Sequence, residues 1–364
     1  MKIAILGFTK IKFMPYMHFY LDQIDTVGDE VHLIYWKRDE LPDAELPKGV
    51  TGHPFNKNMS DAMPLSKKLP SILGYGRFAK KTLKKIKPDL LIVMHSTTAI
   101  SIYNVLVRKY RGKYIFDYRD VTYERNKFYR KAVAKIVKRS AISFASSDGF
   151  RKYLPATQKL LTSHNLLASL LEHKSENVQE KHTPIRVAFW GLFRNQGVNK
   201  AIIDKLGGDK RFELHYYGRA QGAMLETVTR AAKDYENVFF HGEYDASDRP
   251  KMAKNTDLLH NIYSNSDKTA SIAMGNKYYD GVMFKIPQLC MKGSLMGDLC
   301  EKYGVGLTCD PEDFDFADKL YEYYNSFDRK KLTVSCNTEL ERILAEVENG
   351  NRSIKSVLDS MRND

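Results

Sequence analysis

Gly275-Asn276-Lys277-Tyr278-Tyr279-Asp280-Gly281-Val282-Met283-Phe284-Lys285-Ile286-Pro287-Gln288-Leu289-Cys290-Met291 reads as a loop, a short helix, a proline stop and a buried strand. Gly275-Asn276 is a helix-entry signal, because an Asn side chain accepts from the free N–H groups of a first turn. Pro287 holds Ile286 in extended geometry and ends the helix. Lys277 and Asp280 stand three apart, so they share a helix face near its N-terminus. That face offers a cation and free N–H groups to a phosphate, and a carboxylate to a sugar hydroxyl. Taken alone, the pair reads equally well as solvated charge on a surface helix.

Outward from this stretch, the second half of the chain cycles between strand and helix. The cycle opens at Ile185-Arg186-Val187-Ala188-Phe189-Trp190-Gly191, an apolar strand ending in Gly. Strands are expected at 212–217, 238–241, 258–263 and 304–308. Helices are expected at 198–206, 223–234, 312–326, 338–347 and 351–361. The first half repeats the pattern, with strands at 2–6, 31–36, 89–94, 113–117, 141–145 and 159–163. Its helices fall at 15–24, 71–86, 98–109 and 129–140. Residues 41–64 carry Pro42, Pro47, Pro54 and Pro64 and read mostly as loop. Continuous apolar strands separated by helices predict parallel sheets covered on both faces. The polar run 169–183 suits a linker. The expectation is an α/β chain of two Rossmann-like domains, 1–167 and 184–347, followed by a terminal helix at 348–364.

The 364 residues, 43% of them hydrophobic, suffice for two cores. No stretch reaches the roughly 18 uninterrupted apolar residues of a membrane span. Met1-Lys2-Ile3-Ala4-Ile5-Leu6-Gly7 reads as a buried first strand, not a secretion signal, and the expectation is a cytoplasmic protein. Cys290, Cys300, Cys309 and Cys336 form no Cys-x-x-Cys pair and read as reduced thiols. Charge is uneven: residues 1–165 hold 30 Lys and Arg against 14 Asp and Glu, within a whole-chain net of +13. The first half therefore faces something anionic. Arg125, Lys127, Arg130, Lys131, Lys135, Lys138 and Arg139 interleave with Phe128, Tyr129 and Val133 on one helix, and 80–87 adds five lysines. Such helices can lie on anionic lipid. They equally suit a solvated face, and no nucleic-acid module accompanies them.

Ligands of open α/β sheets bind beyond the C-terminal strand ends. Those positions are Gly7, Phe8, His95, Asp117, Arg119 and Asp120 in the first domain, and Gly191, Arg194, Gly218 and Ser264 in the second, with Asn276, Lys277 and Asp280 on the short helix. Asp117-Tyr118-Arg119-Asp120 puts two carboxylates beside a guanidinium, able to orient or activate a hydroxyl, or simply to close the strand end as a local ion pair. Gly191-Leu192-Phe193-Arg194-Asn195-Gln196-Gly197 places a cation and two glycines in a strand-to-helix loop, which can hold a diphosphate or be an ordinary turn. There is no P-loop signature, and no Gly-x-Gly-x-x-Gly follows the first strand. Asp310-Pro311-Glu312-Asp313 and Asp313-Phe314-Asp315 read as a helix cap and not as metal ligands.

Two Rossmann-like halves, a central linker and the Asn276-Lys277-x-x-Asp280 segment ahead of Pro287 resemble the GT-B glycosyltransferases. Among these the chain looks most like the bacterial retaining family 4 group, which builds capsule, exopolysaccharide and lipid-linked glycans. In that family a glutamate seven positions before a proline grips the nucleotide ribose, and Asp280 matches it with a shorter carboxylate. The first glutamate of the family's pair falls on Ile272, a departure. The resemblance implies two domains facing across a cleft, the last helix crossing back to the first domain. It implies hexosyl transfer from a nucleotide-diphosphate sugar to a glycan or polyprenyl-linked acceptor, retaining and without a metal or other cofactor. Donor contacts would be Gly191, Arg194, Gly218, Ser264, Asn276, Lys277 and Asp280. Gly7, Phe8 and Arg119 would lie on the acceptor side. His95, Asp117 and Asp120 would be catalytic, either aspartate serving as base if the reaction inverts. The enzyme would sit peripherally on the inner face of the plasma membrane, an anionic surface. Alternatives are an inactive GT-B-like partner in a polysaccharide assembly complex, a sugar-nucleotide epimerase or a polyol-phosphate transferase.

Overall fold

The computed structural model describes residues 1–60, 63–193, 196–220 and 222–363. The chain divides into two compact units: Met1–His164 with Ala345–Asp364, and Asn165–Leu344.

The first unit is built on seven parallel strands in the order β3-β2-β1-β4-β5-β6-β7. They are β1 (Lys2–Leu6), β2 (Glu30–Lys37), β3 (Val50–Asn56), β4 (Leu90–Met94), β5 (Tyr114–Tyr118), β6 (Ile142–Ala145) and β7 (Leu160–Thr162). Every residue of β4, β5 and β6 is buried, as unbroken apolar runs in a doubly covered sheet must be. Helices α1 (His18–Leu21), α2 (Leu65–Ile86), α3 (Ser96–Ser101) and α4 (Lys127–Arg139) connect them. Asn126 starts α4 by accepting from the N–H groups of Phe128 (2.9 Å) and Tyr129 (3.2 Å).

Several expectations are corrected here. The segment read as loop contains β3, which pairs only with β2 at the sheet edge. Pro54 sits within it opposite Tyr35, as proline can on an edge strand, where one side of the backbone needs no donor. Helix α2 begins at Leu65 and runs through Pro70. The helix expected at 98–109 splits into α3 and a π-helical turn, Val105–Lys109. The one expected at 15–24 reduces to a 3-10 turn, Pro15–Met17, and the four-residue α1.

The second unit carries six parallel strands in the order β10-β9-β8-β11-β12-β13. They are β8 (Ile185–Trp190), β9 (Phe212–Tyr217), β10 (Val238–Gly242), β11 (Leu258–Asn261), β12 (Gln288–Met291) and β13 (Gly306–Cys309). Its helices are α5 (Gln196–Leu206), α6 (Ala223–Asp234), α7 (Arg249–Lys254), α8 (Asn276–Phe284), α9 (Leu295–Tyr303) and α10 (Phe316–Ser326). Helices α7 and α9 were not anticipated. In both sheets the order reverses beside the first strand, between β1 and β4 and between β8 and β11. This is the doubly wound arrangement, and it places a ligand crevice beyond the C-terminal ends of those strands.

The chain ends in one continuous helix, α11 (Arg329–Asn363), where two were expected. Asn349-Gly350-Asn351 resembles a stop, but Gly350 has another role. A Cβ there would lie 2.9 Å from Phe19 Cζ and 3.3 Å from Phe144 Cε1, so glycine lets the helix approach the first unit's core. Ile354 and Leu358 complete that core with Ile3, Ile5 and Phe144. No helix among the described residues is long and apolar enough to cross a membrane.

Candidate functional site

Helix α8 is no surface helix: all its residues from Lys277 to Phe284 are buried, and Asn276 alone is exposed. Gly275, not Asn276, occupies the cap position, and it does so without a side-chain hydrogen bond. A Cβ at 275 would lie 2.6 Å from the Tyr263 hydroxyl, so the close approach of Tyr263 demands glycine.

Lys277 is 5% exposed. Its Nζ lies 4.0 Å from the centre of the Phe189 ring, 5.0 Å from that of Tyr263, and 3.4 Å from the Tyr263 hydroxyl. Phe189 is the penultimate residue of β8 and Tyr263 follows β11, so the ammonium stands at the switch point of the second sheet. Its neighbours are π faces, which hold a cation by their quadrupole without neutralising it. Among the described residues Lys277 makes no ion pair. Nearby on β11, His260 is buried and its pKa is pushed down to about 3, first by burial and then by the Lys277 charge.

One turn on, Asp280 Oδ1 accepts from Arg249 Nη1 at 3.1 Å, with side chains 5% and 12% exposed. Burial pushes the Asp280 pKa up, and Arg249 pulls it back. Arg249, which opens α7, is absent from the sequence-based candidates. So are Phe189, Tyr263 and His260. The aromatic residues at the ends of β8 and β11 were a usable signal, whereas the Arg249–Asp280 pair spans 31 positions and leaves no local trace.

Gly191 (φ 118°) and Gly218 (φ 132°) end β8 and β9 in backbone conformations that favour glycine. A Cβ on Gly218 would lie 1.9 Å from the Gly191 carbonyl oxygen, so the two strand ends touch backbone to backbone. On Gly191 a Cβ would meet open space. Arg194, the cation expected in this loop, lies outside the described residues. Ser264 follows β11 and shares a hydrogen bond with Ser266 at 2.7 Å. Ile272 ends a 3-10 turn, Ala270–Ile272.

In the first unit, Gly7, Phe8 and His95 come together beyond β1 and β4. The Phe8 and His95 rings stack at 6.4 Å, and Tyr75 donates to the Gly7 carbonyl at 2.6 Å. Arg38 lies 4.5 Å from the centre of the Phe8 ring. His95 holds φ 85°, a costly value for a non-glycine residue, and such strain gathers at functional sites. Its Nε2 lies 3.2 Å from Asp120 Oδ2. The other two charged residues of the 117–120 segment turn inward. Asp117 is fully buried, 3.3 Å from Arg119 Nη1, and both engage Ser163. Burial raises the Asp117 pKa while Arg119 lowers it. Arg119 in turn stacks 4.1 Å over Tyr16. His95 with Asp120 is therefore the pair that faces the strand-end crevice, and Asp117 with Arg119 closes the strand end as a buried ion pair.

Among the described residues no group of three or more His, Cys, Asp or Glu is arranged to hold a metal ion. The second unit does present a buried cation at the start of α8 and an open glycine turn at the end of β8, groups of the kind that can hold a phosphate.

Two Rossmann-like units of this strand order, with a last helix returning to the first unit, define the GT-B fold. The same architecture is found in a sucrose-phosphate synthase from Thermosynechococcus elongatus, with a TM-score of 0.70 over 99% of both chains at 11% identity. HepE from Anabaena, solved in complex with UDP, gives 0.67 over 99% of this chain and 100% of its own at 13% identity. The lipopolysaccharide outer core galactosyltransferase WaaB, in its apo form, gives 0.65 over 98% and 99% at 15% identity. No family model matches the chain, and no curated protein matches it in sequence.

Proposed function

We propose that the protein is a glycosyltransferase that moves a hexosyl group from a nucleotide-diphosphate sugar to a glycan or lipid-linked acceptor in bacterial surface polysaccharide synthesis. The observation that carries this reading is Lys277: a buried cation, cushioned by Phe189 and Tyr263 and without an ion-pair partner among the described residues, at the switch point of the second sheet. HepE, which shares the fold, was solved with UDP and with UDP-glucose.

In this reading Lys277 and the first amides of α8 hold the donor diphosphate. They stabilise the negative charge that grows on it as the glycosidic bond breaks. In this reading Lys277 and the helix amides supply that stabilisation, and the reaction needs no metal. Asp280, oriented by Arg249, accepts a ribose hydroxyl. Gly191 lets the donor approach the backbone, and Gly218 holds that turn against β9. In the first unit Phe8 and His95 contact the acceptor side. If configuration is retained, no separate base is required; if it is inverted, His95 with Asp120 removes the acceptor proton. The test is a donor screen read by product mass: transfer or slow hydrolysis of one nucleotide sugar supports the reading. Failure of UDP-, GDP- and CMP-linked sugars alike refutes it.

The acceptor's membrane is proposed as the partner of the basic first unit. Leu65, Leu69 and Leu73 line one exposed flank of α2, and Phe128 projects from α4 among its lysines. Sedimentation with anionic liposomes, weakened by salt, is the expected result. Equal sedimentation with neutral liposomes refutes the electrostatic part.

A further inference from the structure

A second site lies at the other end of the first sheet. A cavity of about 400 Å³ is lined there by Lys84, Lys87, Lys109, Lys113, Asp89 and Tyr110, among others. Strand β4 begins at Leu90 and β5 at Tyr114, so this is the N-terminal edge of the strands. Gly7, His95 and Asp120 belong to the opposite edge.

Four exposed lysines line this open cavity. Among the described residues none of them makes an ion pair. The single carboxylate in the lining, Asp89, is turned to the start of β1, where its Oδ2 accepts from the Lys2 N–H at 2.8 Å. Lys109 Nζ sits 5.4 Å from the centre of the Tyr110 ring. Lysines at helix C-termini are common because they complement the helix dipole, which accounts for Lys84 on α2 and for Lys109 on its π-helical turn. It does not account for Lys113, which precedes a strand. Nor does it account for Lys87 being lysine, since that residue is held at φ 54°, ψ 56°. Glycine takes this cap conformation without steric penalty and is the usual occupant.

We propose that this cavity binds a phosphoryl group, free or on a lipid headgroup. Lysine ammonium groups suit such a ligand as mobile point charges, and the volume falls in the range of small-ligand sites. The site is independent of the donor site assigned to the second unit.

The test uses the full chain with Lys87→Gly combined with Lys113→Ala. Glycine at 87 relieves the backbone, so this variant folds. Lys251→Ala with Lys254→Ala, exposed on α7 of the second unit, removes equal charge outside the cavity. One arm titrates inorganic pyrophosphate by calorimetry. The other measures sedimentation with phosphatidylcholine vesicles containing phosphatidic acid. The expected result is an affinity loss of about 25-fold for the cavity pair, at roughly fivefold per lysine, and a clearly smaller loss for the α7 pair. Loss in the pyrophosphate arm identifies a free phosphoryl ligand, and loss in the vesicle arm alone identifies a lipid phosphate. Equal losses in the two variants, or no binding in either arm, overturn the proposal.

Discussion

Arg249→Met isolates the buried pair that orients Asp280. The substitution removes a guanidinium nitrogen 3.1 Å from the carboxylate and keeps most of the apolar volume. At that distance two unit charges attract by about 5 kcal/mol at an effective dielectric constant near 20. Breaking a buried pair from one side leaves an uncompensated ion, and the net loss is about 3–5 kcal/mol. The pH dependence carries a sign. Burial already raises the Asp280 pKa, and without Arg249 it rises further above its unfolded value. A carboxyl group raised in the fold contributes stability below its unfolded pKa, near ~4, and loses it as pH rises through the folded value. The variant's deficit should therefore be large at neutral pH and shrink as pH falls towards ~4. The assay is urea unfolding followed on Trp190 in a Trp36→Phe background, since the chain has two tryptophans, one in each sheet. Adding Asp280→Asn should recover most of the loss, because no buried anion remains. A deficit under about 0.5 kcal/mol, or an equal deficit at both ends of the pH range, would refute the buried-pair account.

Two further outcomes follow from the second unit. Gly218→Ala forces a Cβ to within 1.9 Å of the Gly191 carbonyl at φ 132°, so it should lower stability by about 2 kcal/mol or more and weaken nucleotide binding by displacing the glycine turn. Wild-type thermal stability with tight nucleotide binding would show that the two strand ends do not touch. His260 is held neutral with its pKa pushed to about 3. The unfolded chain takes up a proton near 6.5 that the folded one refuses, so stability is lost as pH falls. The loss from pH 7 to 5 should be about 2 kcal/mol, and His260→Gln should abolish that component in the same unfolding assay.

Much of the fold was legible because its strands are short, unbroken apolar runs. The segments at 212–217 and 288–291 are the observed β9 and β12, and the helix at 223–234 is α6. What escaped reading has identifiable causes. Pro54 disguised an edge strand, and Gly350 imitated a helix stop while serving a close packing contact. Helix α9 carries a real start signal, the Ser294 hydroxyl accepting from the Gly297 N–H at 3.0 Å, but it is short and contains that glycine. At the candidate site, Lys277 and Asp280 stood out by spacing, yet spacing could not tell a solvated helix from one buried between strands. That distinction depends on Phe189, Tyr263 and Arg249, which only the folded sheet brings to α8.

The central claim is that Lys277 binds the diphosphate of a nucleotide-sugar donor. Isothermal titration calorimetry of UDP-, GDP- and CMP-linked sugars against wild type and Lys277→Ala tests it most directly. At least one donor is expected to bind the wild type, and Lys277→Ala to weaken it roughly tenfold to a hundredfold, the range of one hydrogen bond to a charged group. Undiminished binding to Lys277→Ala, or no binding of any of the three to the wild type, would contradict it.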